Sequence, residues 1–293
     1  MTPIDDPIWR YWNKHPNAVQ KGAGHEVGTR EFFEAVEAHR YGAEPCILTM
    51  AGFEDARGKT VLEIGCGQGT DLLQFARHGA EVHGLDYTPA GIGLARRRFQ
   101  VYGLPAKLFV GDARRLPFPS DRFDVVYSHG VLMCVPEFDQ CINEVHRVLK
   151  PGGRATVMVY NTRSYHYALV KYAVGPLVAL LLAADKLGLG SVLRLFLPRR
   201  VSNMFVILKD EGRGFDLDRI LTLSTDPSEP GKDNAHPFVR FYDADDMRAF
   251  FNSFASVRVD LRQLYKFPAP AAVKRWVEPL WGFFLYVTAR KGV

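Results

Sequence analysis

The sequence is poor in cysteine: four in 293 residues, at positions 46, 66, 134 and 141. None forms a C-x-x-C pair or stands at metal-finger spacing. That excludes a disulfide scaffold and a zinc ribbon, and no metal ligand is expected. Concentrated charge is missing too. The net charge is only +5, and the arginine groups (Arg96–Arg98, Arg114–Arg115, Arg199–Arg200) are scattered. That argues against a nucleic-acid binder, which carries its charge as a basic patch or stripe. It also puts the first two groups on solvated surface. Long hydrophobic runs are absent. The longest, Tyr172 to Ala184, has 13 residues, is interrupted by Gly175-Pro176, and is bounded by Lys171 and Asp185. A spanning helix needs ~20 residues, so no transmembrane segment is expected. The start, MTPIDDPIWRYW, has no basic-then-apolar leader, and a cytoplasmic location follows as an expectation. No internal repeat is visible.

What is present is a chain that is 47% apolar, enough for a sizeable core, and one dense stretch, VLEIGCGQGTDLLQFARHGAEVHGLD, residues 61–86. It reads as a buried strand from Val61 to Ile64, a turn with Gly65, Gly67 and Gly69, a short helix, a second strand, and Asp86 at that strand's tip. Glycines there let backbone N–H groups approach a ligand that a Cβ would exclude. An acid at the second strand tip suits a ribose diol. The dinucleotide fingerprint G-x-G-x-x-G requires a third glycine at position 70, where Thr70 stands. Glu63, inside the first strand, would repel a pyrophosphate. It suits a ligand with a cationic amino-acid end. S-adenosylmethionine has an ammonium, a sulfonium, a ribose and no phosphate.

This E-x-G-x-G-x-G pattern, followed by the acid at the next strand tip, resembles motif I and its sequel in class I S-adenosylmethionine-dependent methyltransferases of small-molecule type. GDARRLPFPSDRFDVVYSHGVL (111–132) and EVHRVLKPGGRATVMVY (144–160) resemble the following strands of that family, and the match covers about residues 56–160. The resemblance implies an α/β, Rossmann-like, seven-stranded, mostly parallel sheet with an antiparallel edge strand. N-terminal helices precede it and a helical lid is inserted after strand 5. It implies S-adenosyl-L-methionine as cofactor and S-adenosyl-L-homocysteine as product. Glu63, Gly65, Cys66, Gly67, Gly69, Asp86, Tyr87, Asp112, Ala113 and Ser128 would hold the cofactor, Asp112 accepting from the adenine amino group. Many small-molecule members carry a histidine pair after Gly-Val-Leu; Met133-Cys134 stands there instead and makes the pocket softer and more apolar.

Four segments follow: an N-terminal helical cap (1–55), the cofactor core (56–160), a lid or substrate-binding insertion (161–240), and the C-terminal part of the core (241–293). In the cap, Trp9, Tyr11 and Trp12 form an aromatic cluster before a polar loop (13–28). Thr29 caps a helix from Arg30 to Tyr41 that has Phe32, Phe33, Val36 and Arg40 at helical spacing and stops at Gly42; a second helix spans about Pro45 to Gly52. In the core, Thr88, Pro89 and Gly103 delimit a helix with Ile92, Ala95, Phe99 and Tyr102 on its buried stripe. Another helix, around 137–149, buries Cys141. The lid reads as an apolar helical stretch (165–197), a strand-like piece (Asn203 to Leu208) and a polar loop (224–237). Asp243 caps a helix to Phe254. Val257–Tyr265 reads as a sixth strand and Trp281–Ala289 as a seventh.

Methyl transfer from a sulfonium is an in-line displacement that asks chiefly for alignment. A base matters only when the acceptor must lose a proton. His129, at the end of the fourth strand, is the candidate base or orienting group. Tyr41 is a candidate to close over the sulfonium with its ring face. His25-Glu26 and His236-Pro237 are weaker candidates, read as solvated loop residues. The apolar lid either packs on the core, lines a hydrophobic chamber, or dips into a membrane surface, with Lys171, Arg194, Arg199 and Arg200 meeting anionic head groups. The expected function is methylation of an apolar or amphiphilic small molecule at O, N, S or C, with possible peripheral membrane contact. The alternatives are methylation of a peptide or protein group, and a non-catalytic S-adenosylmethionine-binding protein.

Overall fold

Strand β1 (Thr60–Ile64) is buried at all five positions, as a strand covered on both faces must be. In the computed structural model, which describes residues 5–226, 228–231, 233–264 and 267–293, it stands at the centre of one sheet. The order is β3 (Lys107–Val110), β2 (Glu81–Asp86), β1, β4 (Phe123–His129), β5 (Leu149–Asn161), β8 (Phe284–Arg290), β7 (Ser256–Arg262). The pairs from β3 to β5 are parallel; β8 runs antiparallel to both β5 and β7. The reversed strand therefore sits one place in from the edge. A two-residue strand not expected from the sequence, β6 (Phe241–Tyr242), pairs with the end of β5.

The helices are α1 (Pro7–Lys14), α2 (Arg30–Ala43), α3 (Cys46–Met50), α4 (Thr70–Arg77), α5 (Pro89–Tyr102), α6 (Phe138–Val148), α7 (Tyr165–Asp185), α8 (Gly190–Leu193), α9 (Arg199–Asp210), α10 (Leu217–Thr225), α11 (Ala244–Phe250) and α12 (Ala271–Trp281). Thr29 and Thr88 cap α2 and α5 through their side chains. Helix α2 runs through Gly42 to Ala43. Gly103, at φ +64°, ends α5.

Several expectations are corrected here. Asn203–Leu208 lies inside α9, not in a strand; its apolar residues follow a helical period against the core, where Met204, Phe205, Ile207 and Leu208 are buried. Trp281 closes α12, and the last strand begins at Phe284. The sixth expected strand ends at Arg262, and Tyr265 lies outside the described residues. The apolar lid run is not broken at Lys171 or at Gly175-Pro176. One helix passes through both, from Tyr165 to Asp185. A π-turn over Val170–Val174 widens it just before Pro176, which absorbs the missing N–H and the ring's bulk.

Candidate active site

Between β1 and β4 the strand order reverses. The crevice beyond the strand C-termini at such a point is where open α/β sheets bind ligands. A cavity of about 340 Å³ occupies it, lined by the loops after β1, β2, β3 and β4 and roofed by α1 and the loop behind it.

The loop after β1 is held by Gly65 and Cys66 N–H groups donating to the Leu85 carbonyl at 2.7 and 3.0 Å. Gly65 sits at φ +73°, and a Cβ there would meet the Val131 side chain at 2.3 Å. Only glycine fits, on conformation and on space. Gly67 lines the cavity and donates its N–H to Asp86 Oδ2 at 2.9 Å. Asp86 Oδ1 accepts from Thr88 N–H and Oγ1–H at 2.9 and 2.8 Å. Burial pushes the Asp86 carboxyl up. Three of its roughly four lone-pair sites are thus spent on the loop, and one remains for a ribose hydroxyl.

Glu63 faces the cavity from a buried central strand, and its Oε2 has no hydrogen-bond partner among the described residues. Its neighbour Asp71 is also buried but fully served. Arg40 donates to both oxygens at 2.7 and 2.5 Å, Tyr41 to Oδ1 at 3.0 Å, and Tyr127 to Oδ2 at 3.1 Å. The two carboxyls divide the charge. Burial raises Asp71, but Arg40 and the other donors outweigh it and hold Asp71 below the usual range. Burial, then the Asp71 charge, drives Glu63 well above it. Asp71 carries the charge and Glu63 the proton.

His129 is held from both sides: Nε2 lies 3.1 Å from Glu44 Oε2, and Nδ1 lies 3.2 Å from the Tyr286 hydroxyl. A carboxylate can only accept, so Nε2–H donates to Glu44. Burial pushes the Glu44 carboxyl up, but His129 and Arg40 together bring it below its ordinary value. A second acid stands at the C-terminal end of α10. Asp226 is raised by burial, and by the Glu44 charge, to about 6. It lies 3.9 Å from His236 Nε2 and lines a smaller pocket with Arg200 and Met204.

Of the residues singled out from the sequence, Glu63, Gly65, Cys66, Gly67, Asp86, Tyr87, Asp112, Ala113 and His129 line one cavity. Three do not. Gly69, at φ +74°, starts α4 and packs against Phe99 and Ala95. Ser128 is buried and donates to the Ile64 carbonyl at 3.0 Å. Tyr41 turns its hydroxyl to Asp71, so its position serves the carboxylate network rather than a sulfonium. Asp112 is clamped by Arg114, with contacts from 2.7 to 3.0 Å to its two oxygens; it reaches an adenine amino group only if Arg114 moves. Tyr87 donates to Asp6 at 2.9 Å and so ties α1 over the cavity.

Three surface expectations are also corrected. Arg114 lines the cavity. Arg98 is fully buried, stacked on Phe33 at 4.4 Å and donating to the Gln68 carbonyl and Oε1 at 2.9 and 3.0 Å. His236 is fully buried with the Tyr11 and Trp12 rings at 5.0 and 5.2 Å; burial drops its pKa to about 3. His25 and Glu26 are exposed, as read.

The sequence reading missed Arg40, Asp71 and Glu44 as site residues. The available signal was a charge on an apolar stripe: Arg40 follows Phe32, Phe33 and Val36 on the core face of α2. A cation in that position needs a buried anion.

Residues 62–157 match the family described as methyltransferase domain. The phthiotriol/phenolphthiotriol dimycocerosates methyltransferase of Mycobacterium leprae is 45% identical over 164 residues, which are 50% of this chain and 57% of that protein. The fatty-acid O-methyltransferase of Mycolicibacterium smegmatis is 41% identical over 122 residues, 41% of this chain and 43% of that protein. The chain thus spans about half the length of the curated relatives it matches. Magnesium protoporphyrin IX methyltransferase from Synechocystis PCC 6803, solved with bound SAH, shares the fold: TM-score 0.53, 14% identity, 97% of this chain and 98% of that one. Residues 62–157, which run from β1 into β5, are thus similar to methyltransferase domains.

Proposed function

We propose that this protein transfers the methyl group of S-adenosylmethionine to an oxygen of a lipid-like acceptor. The observation that carries the cofactor half is a buried carboxyl among the cavity's lining residues, Glu63, whose Oε2 has no hydrogen-bond partner among the described residues. A buried carboxyl kept protonated until a cation arrives fits an aminoacyl ammonium. Beside it, the glycine turn and the one lone-pair site left on Asp86 suit a ribose without phosphate. When bound, the cofactor supplies an activated methyl on a sulfonium.

The acceptor half rests on two supports. The relatives' names specify dimycocerosates and fatty acids. The cavity lining also includes the apolar side chains of Ile8, Trp12, Val131 and Val135. If the acceptor is a hydroxyl, His129 takes its proton at Nδ1 once the Tyr286 hydroxyl turns aside, and the Glu44 carboxylate holds the imidazolium at Nε2. A base, an orienting carboxylate and a proton donor that can yield make a relay of ordinary design. The reading also places the protein in the cytoplasm, at the face of a membrane that holds the acceptor.

The test is a tritiated-methyl assay with a long-chain fatty acid and a long-chain diol, read by label extracted into organic solvent and by S-adenosylhomocysteine release. Label in the lipid phase is expected. Label only in protein would move the reading to a peptide acceptor. S-adenosylmethionine binding with no release of product would make the chain a non-catalytic binder.

A further inference from the structure

Helix α7 is apolar on every side, yet little of it is covered. Its mean hydropathy is 1.8, and only 22% of its apolar window is buried. Val170, Val178 and Leu181 face inward and join the core. Leu169, Tyr172, Pro176 and Leu180 stand exposed at helical spacing, Tyr172 at 73%, and Leu187 is exposed in the turn that follows. A helix hydrophobic all round belongs either in a core or in lipid. The exposure continues past the helix, through Leu189, Val192, Leu195 and Phe196, the last at 82%.

A second unpartnered stripe adjoins it. In α12, Val273, Trp276 and Leu280 are exposed at helical spacing, with Trp281 beside them. The two helices meet at Phe267, whose ring lies 4.9 Å from Tyr165 at the start of α7 and 6.2 Å from Trp281 at the end of α12.

The charge around this surface is mainly basic. From 165 to 200 the sequence carries Lys171, Lys186, Arg194, Arg199 and Arg200 against one acid, Asp185, and Lys209 pairs with that acid at 2.8 Å. Arg199 pairs with Glu229. Lys274 and Arg275 flank Trp276. Exposed leucine and phenylalanine, interfacial tryptophan and a basic fringe are the components of a bilayer-surface anchor.

We infer that α7, the segment to Phe196 and α12 together dock on an anionic lipid bilayer, lying in its interface rather than crossing it. Spanning is excluded by the inward residues: Val170, Val178 and Leu181 belong to the continuous core that reaches the sheet, and a crossing would have to strip them from it. Only the outer half of α7 is offered to lipid. Lys171, 5.3 Å above the Tyr172 ring, is placed to reach a phosphate while its stem stays on the apolar surface. The inference stands apart from the reaction, because docking asks nothing of the cofactor cavity.

The test is flotation of the full chain with vesicles of phosphatidylcholine alone and with about one-third phosphatidylserine. The protein floats with the anionic vesicles, less so in high salt. Leu180→Glu with Phe196→Glu drops binding at least tenfold. Arg194→Ala with Arg200→Ala weakens binding to the anionic vesicles by roughly thirtyfold, at about fivefold per basic contact. Unchanged thermal melting and unchanged S-adenosylmethionine binding show that the variants fold. The inference is overturned if the wild-type chain stays in the soluble fraction, or if the glutamate variant floats like wild type. It also fails if light scattering shows a self-associated species that the glutamate pair disperses, because the surface then belongs to a second copy. A chain that floats but releases no S-adenosylhomocysteine keeps this inference and loses the proposed function.

Discussion

Replacing Glu63 by Gln removes a buried carboxyl among the cavity's lining residues, one of whose oxygens has no partner among the described residues. Side-chain size and hydrogen-bonding reach stay almost the same. In the ligand-free protein burial and the neighbouring Asp71 charge drive the carboxyl well above the ordinary range and so favour its protonated form. A cationic aminoacyl end pulls the proton off on binding. A buried charge-assisted hydrogen bond contributes about 1.5–3 kcal/mol, so its loss should weaken S-adenosylmethionine binding about ten- to hundredfold. Part of that gain is spent ionising Glu63 near neutral pH. The difference between wild type and variant should therefore widen as pH rises, and wild type alone should release a proton on binding. Isothermal titration in two buffers of different ionisation enthalpy counts that proton. Stability moves the other way. Glu63's folded pKa lies above its unfolded value of about 4.3, so its stabilising contribution is complete at low pH and is lost as pH climbs through the folded value. Glutamine does not titrate, so the ligand-free variant should melt no lower than wild type at neutral pH and higher in alkali. Equal affinity in the two proteins, or equal proton release, would refute the assignment.

Other perturbations separate the remaining parts of the site. His129→Ala should cut turnover at least tenfold, as general-base loss does, with S-adenosylmethionine affinity preserved; Tyr286→Phe, which frees Nδ1, should keep most of the rate, and steady-state kinetics on the lipid acceptor reads both. Asp226→Asn should raise the melting temperature at alkaline pH and leave it unchanged in acid. The folded pKa of Asp226 is about 6, above the unfolded aspartate value of about 3.9, so wild type loses stability as pH rises through that window and the amide does not; differential scanning fluorimetry across pH checks it. Arg98→Ala opens a cavity and strips the Gln68 carbonyl of its buried donor, which should cost about 3 kcal/mol in chemical denaturation. Gly65→Ala should abolish cofactor binding, because its Cβ would lie 2.3 Å from Val131 in a left-handed backbone.

The cofactor fold was legible because its signals are local. A buried strand from Val61 to Ile64, a glycine turn and an acid at the next strand tip all fall within 26 residues, and the caps at Thr29 and Thr88 lie beside the helices they start. What failed depended on distant partners. Arg98 read as a solvated charge because nothing nearby in sequence says that Gln68 will meet it. His236 read as a loop residue because its burial comes from Tyr11 and Trp12, more than two hundred residues earlier. In the lid, Asn203–Leu208 is short and apolar, where strand and helix periods cannot be told apart; the helix won through burial against the core. The membrane argument turned on Pro176. A proline suggests a break, and the π-turn before it instead joins two short apolar pieces into one 21-residue helix.

The same geometry revises how this site refuses phosphate. From sequence, the repulsion was assigned to a standing charge on Glu63, but in the folded chain that group holds a proton. The refusal comes from Asp71. A pyrophosphate in a dinucleotide fold lies at the N-terminus of the first crossover helix, where unpaired N–H groups and the helix dipole favour an anion. Here the first turn of α4 already holds one, the Asp71 carboxylate. The cation nearest to that turn, Arg40, is spent on the same carboxylate through two hydrogen bonds. Glu63 is left as a conditional charge, neutral alone and ionised beside an ammonium. It follows that Asp71→Asn, which frees Arg40 and lowers the Glu63 pKa together, should weaken discrimination between S-adenosylmethionine and a phosphate-bearing adenosine nucleotide more than Glu63→Gln does. Competition binding of the two ligands to the three proteins decides it. If Glu63→Gln proved the more permissive of the two variants, the anion at the head of α4 would not be the gatekeeper.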